Sequence, residues 1–196
     1  MYTRFEQHNQ DFSDKAHAAA QSLVYPRIFK CDESMLSFDS ASVSDGGEKA
    51  ILDGQMAVDR LVEVTVAGLR HPIQHTVQER FRRPGYRNYR DITITEWNHA
   101  SNQPSELYKI KCGIFTYGYY YEEEKRFGDV IAVDVSAFLM AMTVGGIEYT
   151  KRTNRKKQDF ICVTFDELHQ AGVVLAQINE AKQEPVLQAA WYEEFF

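Results

Sequence analysis

The sequence predicts an α/β domain in which a central mixed sheet is flanked by helices. The prediction depends on the order of the segments: one helix-like, three strand-like, a second helix-like and then a further strand-like segment. Helices interspersed with strands in this way are typical of α/β folds. The 196 residues suit one domain, with a core at about residues 13–135 and a C-terminal extension at 136–196.

The first helix is predicted at about residues 13–29. Ser13 is a suitable N-cap, and Asp14 would lie in the first turn, where an acidic side chain is favourable. Pro26 should end the helix nearby, because the residue before a proline avoids the helical conformation. The small polar residues at 31–47 then predict a loop with one short strand.

Three strands are predicted next, as an antiparallel meander at about residues 59–66, 73–82 and 91–97. These segments are rich in Val, Ile, Thr and aromatic residues, which favour strands. Gly68 and the Pro84-Gly85 pair would form the connections.

The second helix is predicted at about residues 105–121, because apolar residues recur there at helical spacing. These residues are Leu107, Tyr108, Ile110, Ile114, Phe115 and Tyr117. The rest of the chain predicts a strand at 129–135, a short helix at 136–142, a basic hairpin at 145–162 and a helix at 165–179.

The composition disfavours several classes of protein. The three cysteines are far apart and lack Cys-x-x-Cys spacing, so neither a disulfide framework nor a structural zinc site is expected. His71 and His75 have no third ligand nearby. Glycine-rich phosphate-binding motifs are absent. Since no stretch approaches the roughly 20 apolar residues of a membrane helix, we expect a cytoplasmic protein without membrane association.

The basic residues are concentrated in two windows. The net charge is -6, yet ten of the 22 Lys and Arg residues fall in these windows. The first holds Arg80, Arg82, Arg83, Arg87 and Arg90, and the second holds Lys151, Arg152, Arg155, Lys156 and Lys157. Each window alone could be a solvated charged edge, but the two together indicate patches that bind nucleic-acid phosphates.

The segment at 58–83 contains a pattern suited to metal-dependent chemistry. Asp59 opens one strand, and Gln78, Glu79 and Arg80 lie about twenty residues later on the next. Side chains alternate along a strand, so Gln78 and Arg80 share one face and Glu79 lies on the other. Phosphodiester cleavage commonly uses a divalent cation held by oxygen ligands, with a cation near the phosphate.

With this motif and this order of elements, the chain resembles the PD-(D/E)xK, or restriction-endonuclease-like, nucleases. The likeness is strongest to the branch with Gln-x-Lys, seen in Mrr-type restriction enzymes and near Holliday-junction resolvases. The resemblance implies an α-β-β-β-α-β core and a DNA endonuclease that uses Mg²⁺ or Mn²⁺. It also allows a homodimer, because cutting both DNA strands commonly takes two sites.

The resemblance assigns roles to five residues. Asp59 would be the main metal ligand, and Gln78 the second through its amide oxygen. The backbone carbonyl of Glu79 would be a third ligand, and Arg80 would take the place of the lysine that steadies the phosphate. Asp14 would be the acid that such nucleases often add from the first helix.

Several alternatives remain open for this site. Glu79 could instead be the metal ligand if a bulge shifts the register. Arg80 keeps its proton, so it cannot serve as a general base as a lysine could. Lys109 or Lys111 on the second predicted helix could supply that lysine, although only one of them could face the site. Asp91 is either a further carboxylate or a turn residue. Ordinary strand roles also fit Asp59 and Gln78.

Two other functions fit the same sequence. One is a catalytically inactive nuclease-fold protein that binds DNA or acts as an assembly factor. The other is an accessory protein of a phage or mobile element that acts through the aromatic tail at 191–196, which could dock a protein partner or fold back on the domain or on a second subunit. The aromatic residues at 115–121 could stack on bases, but packing in the core is the simpler interpretation.

Overall fold

In the computed structural model, which describes residues 4–40, 47–155, 157–179 and 182–186, eleven strands form two sheets. The larger sheet has seven strands in the order β1-β2-β3-β6-β7-β10-β11. Its strands are β1 (Leu36–Ser40), β2 (Arg60–Val64), β3 (Ile73–Arg82), β6 (Ile114–Tyr121), β7 (Arg126–Asp134), β10 (Val174–Asn179) and β11 (Lys182–Val186).

The smaller sheet is antiparallel and has the order β5-β4-β9-β8. Its strands are β4 (Asp91–Asn98), β5 (Gln103–Pro104), β8 (Thr150–Thr153) and β9 (Gln158–Thr164). The helices are α1 (Arg4–Leu23), α2 (Tyr25–Ile28), α3 (Gly47–Met56), α4 (Glu106–Lys109), α5 (Val135–Thr143) and α6 (Phe165–Gln170). Of the helices that the structure describes, none is both long and apolar enough to cross a membrane.

The larger sheet is mixed, because one of its strand pairs is parallel. β1, β2 and β3 form an antiparallel meander, and β6 then pairs with β3 in parallel, with Val77 opposite Ile114. Parallel neighbours need a crossover connection. Here residues 83–113 provide it, and they include β4 and β5 of the smaller sheet as well as α4.

The apolar side chains form a core on each face of the larger sheet. On one face, residues of α1 and α2 such as Ala20 and Tyr25 pack on Val77 of β3 and on β7. On the other face, Phe115 and Tyr117 of β6 pack against the smaller sheet and against α5 and α6. The larger sheet is therefore the central layer.

The α/β class and most of the strands agree with the sequence predictions. The strand predicted at 73–82 is confirmed with the same bounds, the basic hairpin is formed by β8 and β9, and the short helix near 136–142 is α5. The first helix begins at Arg4, so Ser13 and Asp14 lie inside α1 and not at its start. It ends at Leu23, and Pro26 lies in the first turn of α2.

Three other predictions about the elements were wrong. Only Glu106–Lys109 of the second predicted helix is helical, and Ile114–Tyr121 is a strand. The last predicted helix ends at Gln170, and Val174–Asn179 is a strand. The third predicted meander strand, β4, leaves the larger sheet and pairs with β9, while β1 takes the first place in the meander.

Candidate functional site

The beginning of β2 places Asp59 at an open edge of β3. Arg60 pairs with Val77, and the backbone N–H of Asp59 donates to the Val77 carbonyl at 2.9 Å. Beyond this point β2 no longer covers the edge of β3. The Asp59 carboxylate replaces it, since Oδ2 accepts the backbone N–H of Glu79 at 2.8 Å.

The regular register of β2 with β3 ends before Asp59. The last paired residues are Arg60 and Val77, and the Asp59 N–H also donates to Val77, so Asp59 lies outside the regular pairing. Gln78 and Arg80 share one face of β3, where both contact Glu106. The Asp59 carboxylate lies at the edge of the strand beside them, bound to the Glu79 N–H.

Asp59 and Gln78 each have a feature that costs free energy when no cation is bound. Burial raises the pKa of Asp59 to about 6, and the charges of Glu79 and Asp53 add to the rise, against the opposing effects of the Glu79 N–H and His17. The amide oxygen of Gln78 is buried and has no hydrogen-bond partner among the described residues. A carboxylate and an unpaired amide oxygen are ligands that Mg²⁺ and Mn²⁺ accept.

The fit to a metal ion is partial. Among the described residues, no three His, Cys, Asp or Glu side chains form a group that could hold a metal ion. Asp59 and Gln78 would therefore supply two protein ligands, and backbone carbonyls and water would complete the coordination. This arrangement suits Mg²⁺, which usually keeps several waters.

Arg80 is held by an ion pair with Glu106. Its Nη2 pairs with Glu106 Oε2, and its Nη1 donates to the Thr93 carbonyl at 3.0 Å. Gln78 Nε2 donates to the other oxygen of Glu106 at 3.4 Å, and Thr95 donates to Oε2 from its hydroxyl at 3.2 Å. Glu106 thus fixes the two functional side chains of β3 and neutralises the charge of Arg80.

The opposite face of β3 carries a buried charged cluster around Glu79. The Glu79 side chain is fully buried; it accepts a hydrogen bond from the Tyr25 hydroxyl and contacts His17 Nδ1. Arg60 Nε donates to it at 3.2 Å. These residues come from α1, α2 and β2, so the cluster joins the helices to the sheet directly behind Asp59.

Electrostatics keep this cluster charged despite its burial. Burial alone would raise the pKa of Glu79, but the hydrogen bond and charge of His17, with the charge of Arg60, outweigh it and lower the pKa. Burial would lower the pKa of His17, but the hydrogen bond and charge of Glu79 raise it overall. Glu79 is therefore a carboxylate that already has three donor groups, and Gln78 has the free oxygen.

Other predicted site residues lie apart from this arrangement. Asp14 is exposed and accepts a hydrogen bond from Gln10 at 2.8 Å; His17, three residues later, is the residue of α1 that reaches Glu79. Asp91 opens β4 in the smaller sheet, and burial raises its pKa. These positions do not favour Asp14 or Asp91 as metal ligands.

The two lysines predicted on a helix are exposed. Lys109 is the last residue of α4, and Lys111 lies in the segment before β6. The backbone N–H of Lys111 donates to the Met56 carbonyl at 3.0 Å, three residues from Asp59 in sequence. This hydrogen bond brings Lys111 close to the segment that leads into Asp59, although 52 positions separate the two residues in the sequence.

The first basic window is largely engaged within the protein. Arg82 contacts the Thr93 hydroxyl and lies 5.8 Å from the centre of the Tyr117 ring. Arg83 donates to Asn9 Oδ1 at 3.0 Å, and Arg87 donates to the Tyr121 hydroxyl at 2.8 Å. Arg90, at φ 42°, ends a 3₁₀ turn and is exposed.

The second basic window forms an exposed hairpin between β8 and β9. Lys151 pairs with Glu96 at 2.6 Å, while Arg152, Arg155 and Lys157 are exposed. Lys156 lies outside the described residues, as does the aromatic tail at 191–196. This hairpin is the part of the predicted phosphate-binding surface that is most exposed to solvent.

The aromatic residues at 115–121 pack in the core. Every residue of β6 is buried, and Tyr117 and Tyr119 contact each other with ring centres 6.0 Å apart. Core packing, the simpler of the two interpretations, is confirmed for these residues.

No protein family, no curated protein and no solved structure matches this chain.

Sequence reasoning missed four residues that contact Glu79, Gln78 or Arg80, namely His17, Tyr25, Arg60 and Glu106. The signal for His17 was present, because it lies on α1 between Ala16 and Ala20, two fully buried residues of the face that packs on the sheet.

Proposed function

We propose that the protein is a divalent-metal-dependent nuclease that hydrolyses phosphodiester bonds in DNA. Mg²⁺ or Mn²⁺ would be held by Asp59 and the Gln78 amide oxygen, and would activate a water and stabilise the charge that grows on phosphorus. Arg80 would steady the scissile phosphate. The observation that carries the proposal is the buried Gln78 oxygen, unpaired among the described residues, in the residue before the Glu79 N–H that binds the Asp59 carboxylate, whose pKa is about 6.

The order of the elements is compatible with the proposal. α1 and α2 are followed by three antiparallel strands, β1 to β3, and after α4 by β6, which is parallel to β3. The nuclease resemblance implies a helix, three strands, a helix and a strand, so α2, α3, β4 and β5 are additional here. Asp59 immediately precedes β2, and the Gln-x-Arg segment lies on β3, so these residues are on the second and third strands of the meander and not on its first and second as predicted.

A second candidate function is DNA binding without cleavage. The Arg80–Glu106 ion pair favours it, because a neutralised arginine in the lysine position contributes less to stabilising a phosphate. In that case the exposed hairpin of β8 and β9 would be the principal contact with phosphates.

One experiment separates the two candidates. The wild-type protein and the variants Asp59→Asn and Gln78→Ala are incubated with supercoiled plasmid and with branched DNA, in Mg²⁺, Mn²⁺ or EDTA. Asp32→Asn is the control, because Asp32 is exposed and its side chain accepts no capping hydrogen bond. Metal-dependent cutting that only the site variants lose would support the nuclease. Salt-sensitive DNA binding by all four proteins, with no cutting, would support the binding protein.

A further inference from the structure

A cleft on the helix side of the larger sheet carries three cationic side chains. It lies between the end of α1, α2 and the ends of β7 and β10, and its volume is about 480 Å³. The lining residues are Leu23, Arg27, Lys125, Arg126, Phe127, Ile178 and Asn179. Volumes of this order are typical of sites for small ligands.

The charged side chains among the described lining residues are all cationic, although the whole chain has a net charge of -6. Of the three, Arg126 is paired with Glu124 at the edge of the cleft. Arg27 and Lys125 are exposed, and their side chains make no hydrogen bond or ion pair with the described residues. Cations gathered this way on an acidic protein attract anions locally.

The cationic groups project from a strand, a turn and a short helix. Arg126 pairs with Glu124 and lies 4.0 Å from the centre of the Tyr121 ring, so its guanidinium is positioned. Lys125 has a positive φ of 48° in the turn between β6 and β7, and Arg27 lies in the short helix α2. Three separate parts of the fold thus bring the cations to one cleft.

The rest of the cleft is apolar or amide-bearing. Phe127 contacts Phe81 and Tyr120, and Ile178 belongs to the core beneath α2. An apolar floor with three cations and one amide at its rim suits a ligand that joins a phosphate to an apolar group. Arginine recognises phosphate through its planar fork, and lysine adds a point charge.

The cleft is separate from the candidate metal site. Phe115 pairs with Gln78 on one side and with Val133 of β7 on the other, so Val133 lies level with the metal site. Arg126 lies seven residues earlier on β7, which is about 23 Å at 3.3 Å per residue. The cleft also opens on the helix side, whereas Gln78 faces the smaller sheet.

We propose that this cleft binds a phosphate group that is joined to an aromatic ring, as in a nucleotide. The phosphate would contact Arg27, Lys125 and Arg126, and the sugar or base would lie over Phe127. The same chemistry could come from a free mononucleotide or from one nucleotide of a nucleic-acid strand. The proposal does not depend on cleavage at Asp59.

Calorimetric titration in EDTA tests this directly, with dTMP, inorganic phosphate and a 12-residue deoxythymidine strand as probes. The variants are Arg27→Gln and Lys125→Gln; Arg70→Gln is the control, because Arg70 is an exposed arginine in the connection between β2 and β3. We expect each cleft variant to weaken binding at least about tenfold and the control to change it less than about twofold.

Each outcome of these titrations either supports the proposed phosphate site or overturns it. Binding of dTMP that both cleft variants weaken supports a free nucleotide as ligand, and binding of the strand alone, weakened in the same way, supports a nucleic-acid phosphate. If no probe binds, or if the control weakens binding as much as the cleft variants, the proposal is overturned. The variants replace exposed side chains, and equal unfolding temperatures would show that they fold normally. A protein that binds dTMP but cuts no DNA would overturn the proposed nuclease and leave this inference standing.

Discussion

Replacing Asp59 by Asn should make the protein more stable at pH 8. The folded-state pKa of Asp59 is raised from 3.8 to about 6, mainly by burial. For an acid with a raised pKa, ionisation is costlier in the folded state than in the unfolded state. The cost is therefore absent below about pH 4, grows between about pH 4 and pH 6, and is complete above that range.

The size of this effect follows from the shift. A rise of about two pKa units corresponds to about 3 kcal/mol in the free energy of unfolding. Asn carries no charge, and its amide oxygen can still accept the Glu79 N–H that Asp59 Oδ2 accepts at 2.8 Å. For a chain of this length, a gain of about 3 kcal/mol in the free energy of unfolding corresponds to a rise of about 6–12 °C in Tm.

Thermal and urea unfolding at pH 4 and pH 8 measure the difference. We expect Asp59→Asn to exceed the wild type at pH 8 and to match it at pH 4, with exposed Asp32→Asn unchanged at both. Mn²⁺ should raise the Tm of the wild type at pH 8, because binding to the folded state alone stabilises it, and should do so far less in Asp59→Asn. A variant that is less stable than the wild type at pH 8 would refute the argument from burial.

Three further substitutions test the packing and charge around β3. Glu106→Gln should lower the free energy of unfolding by about 2 kcal/mol, because Arg80 loses its partly buried partner. Tyr25→Phe should lower it by about 1.5–3 kcal/mol, because a buried carboxylate loses one hydrogen bond. Gly118→Ala should lower it by about 1–3 kcal/mol, since the new Cβ would lie 2.8 Å from Val130 Cγ2. Urea unfolding measures all three.

Matched controls accompany these substitutions. Lys151→Ala breaks an exposed ion pair and should change stability by less than about 1 kcal/mol. Tyr86→Phe removes an exposed hydroxyl, and Gly85→Ala adds a Cβ with nothing within 4 Å. If a control costs as much as its paired substitution, the contact named for that substitution is not the cause.

The strand that carries Gln78 and Arg80 could be predicted from the sequence. Ile73–Arg82 has the alternation and turn residues of a strand, and its bounds agree with the structure. Because side chains alternate, the relation of Gln78 and Arg80 to Glu79 follows from the sequence alone. The contact of the Asp59 carboxylate with the Glu79 N–H depends on where the pairing of β2 with β3 ends, which no local sequence pattern predicts.

The helix predicted at 105–121 shows why other elements were missed. All eight residues of β6 are buried, since the strand is covered on both faces. A strand buried on both sides shows no polar alternation, so its apolar residues also matched a helical spacing. The aromatic and β-branched residues there favoured a strand. His17 and Tyr25 were missed as partners of Glu79 because α1 and α2 contact β3 through tertiary packing alone.

The path of the chain through the smaller sheet has a consequence during synthesis. Asn98 at the end of β4 pairs with Gln158 of β9, 60 positions later. At about 5–20 residues per second, β4 leaves the ribosome about 3–12 s before its partner is made. For at least that time Ile92 and Ile94, fully buried in the finished molecule, lack the neighbouring strand to which β4 hydrogen-bonds. Nascent chains stalled before residue 158 should therefore bind chaperones and aggregate more readily than the completed protein.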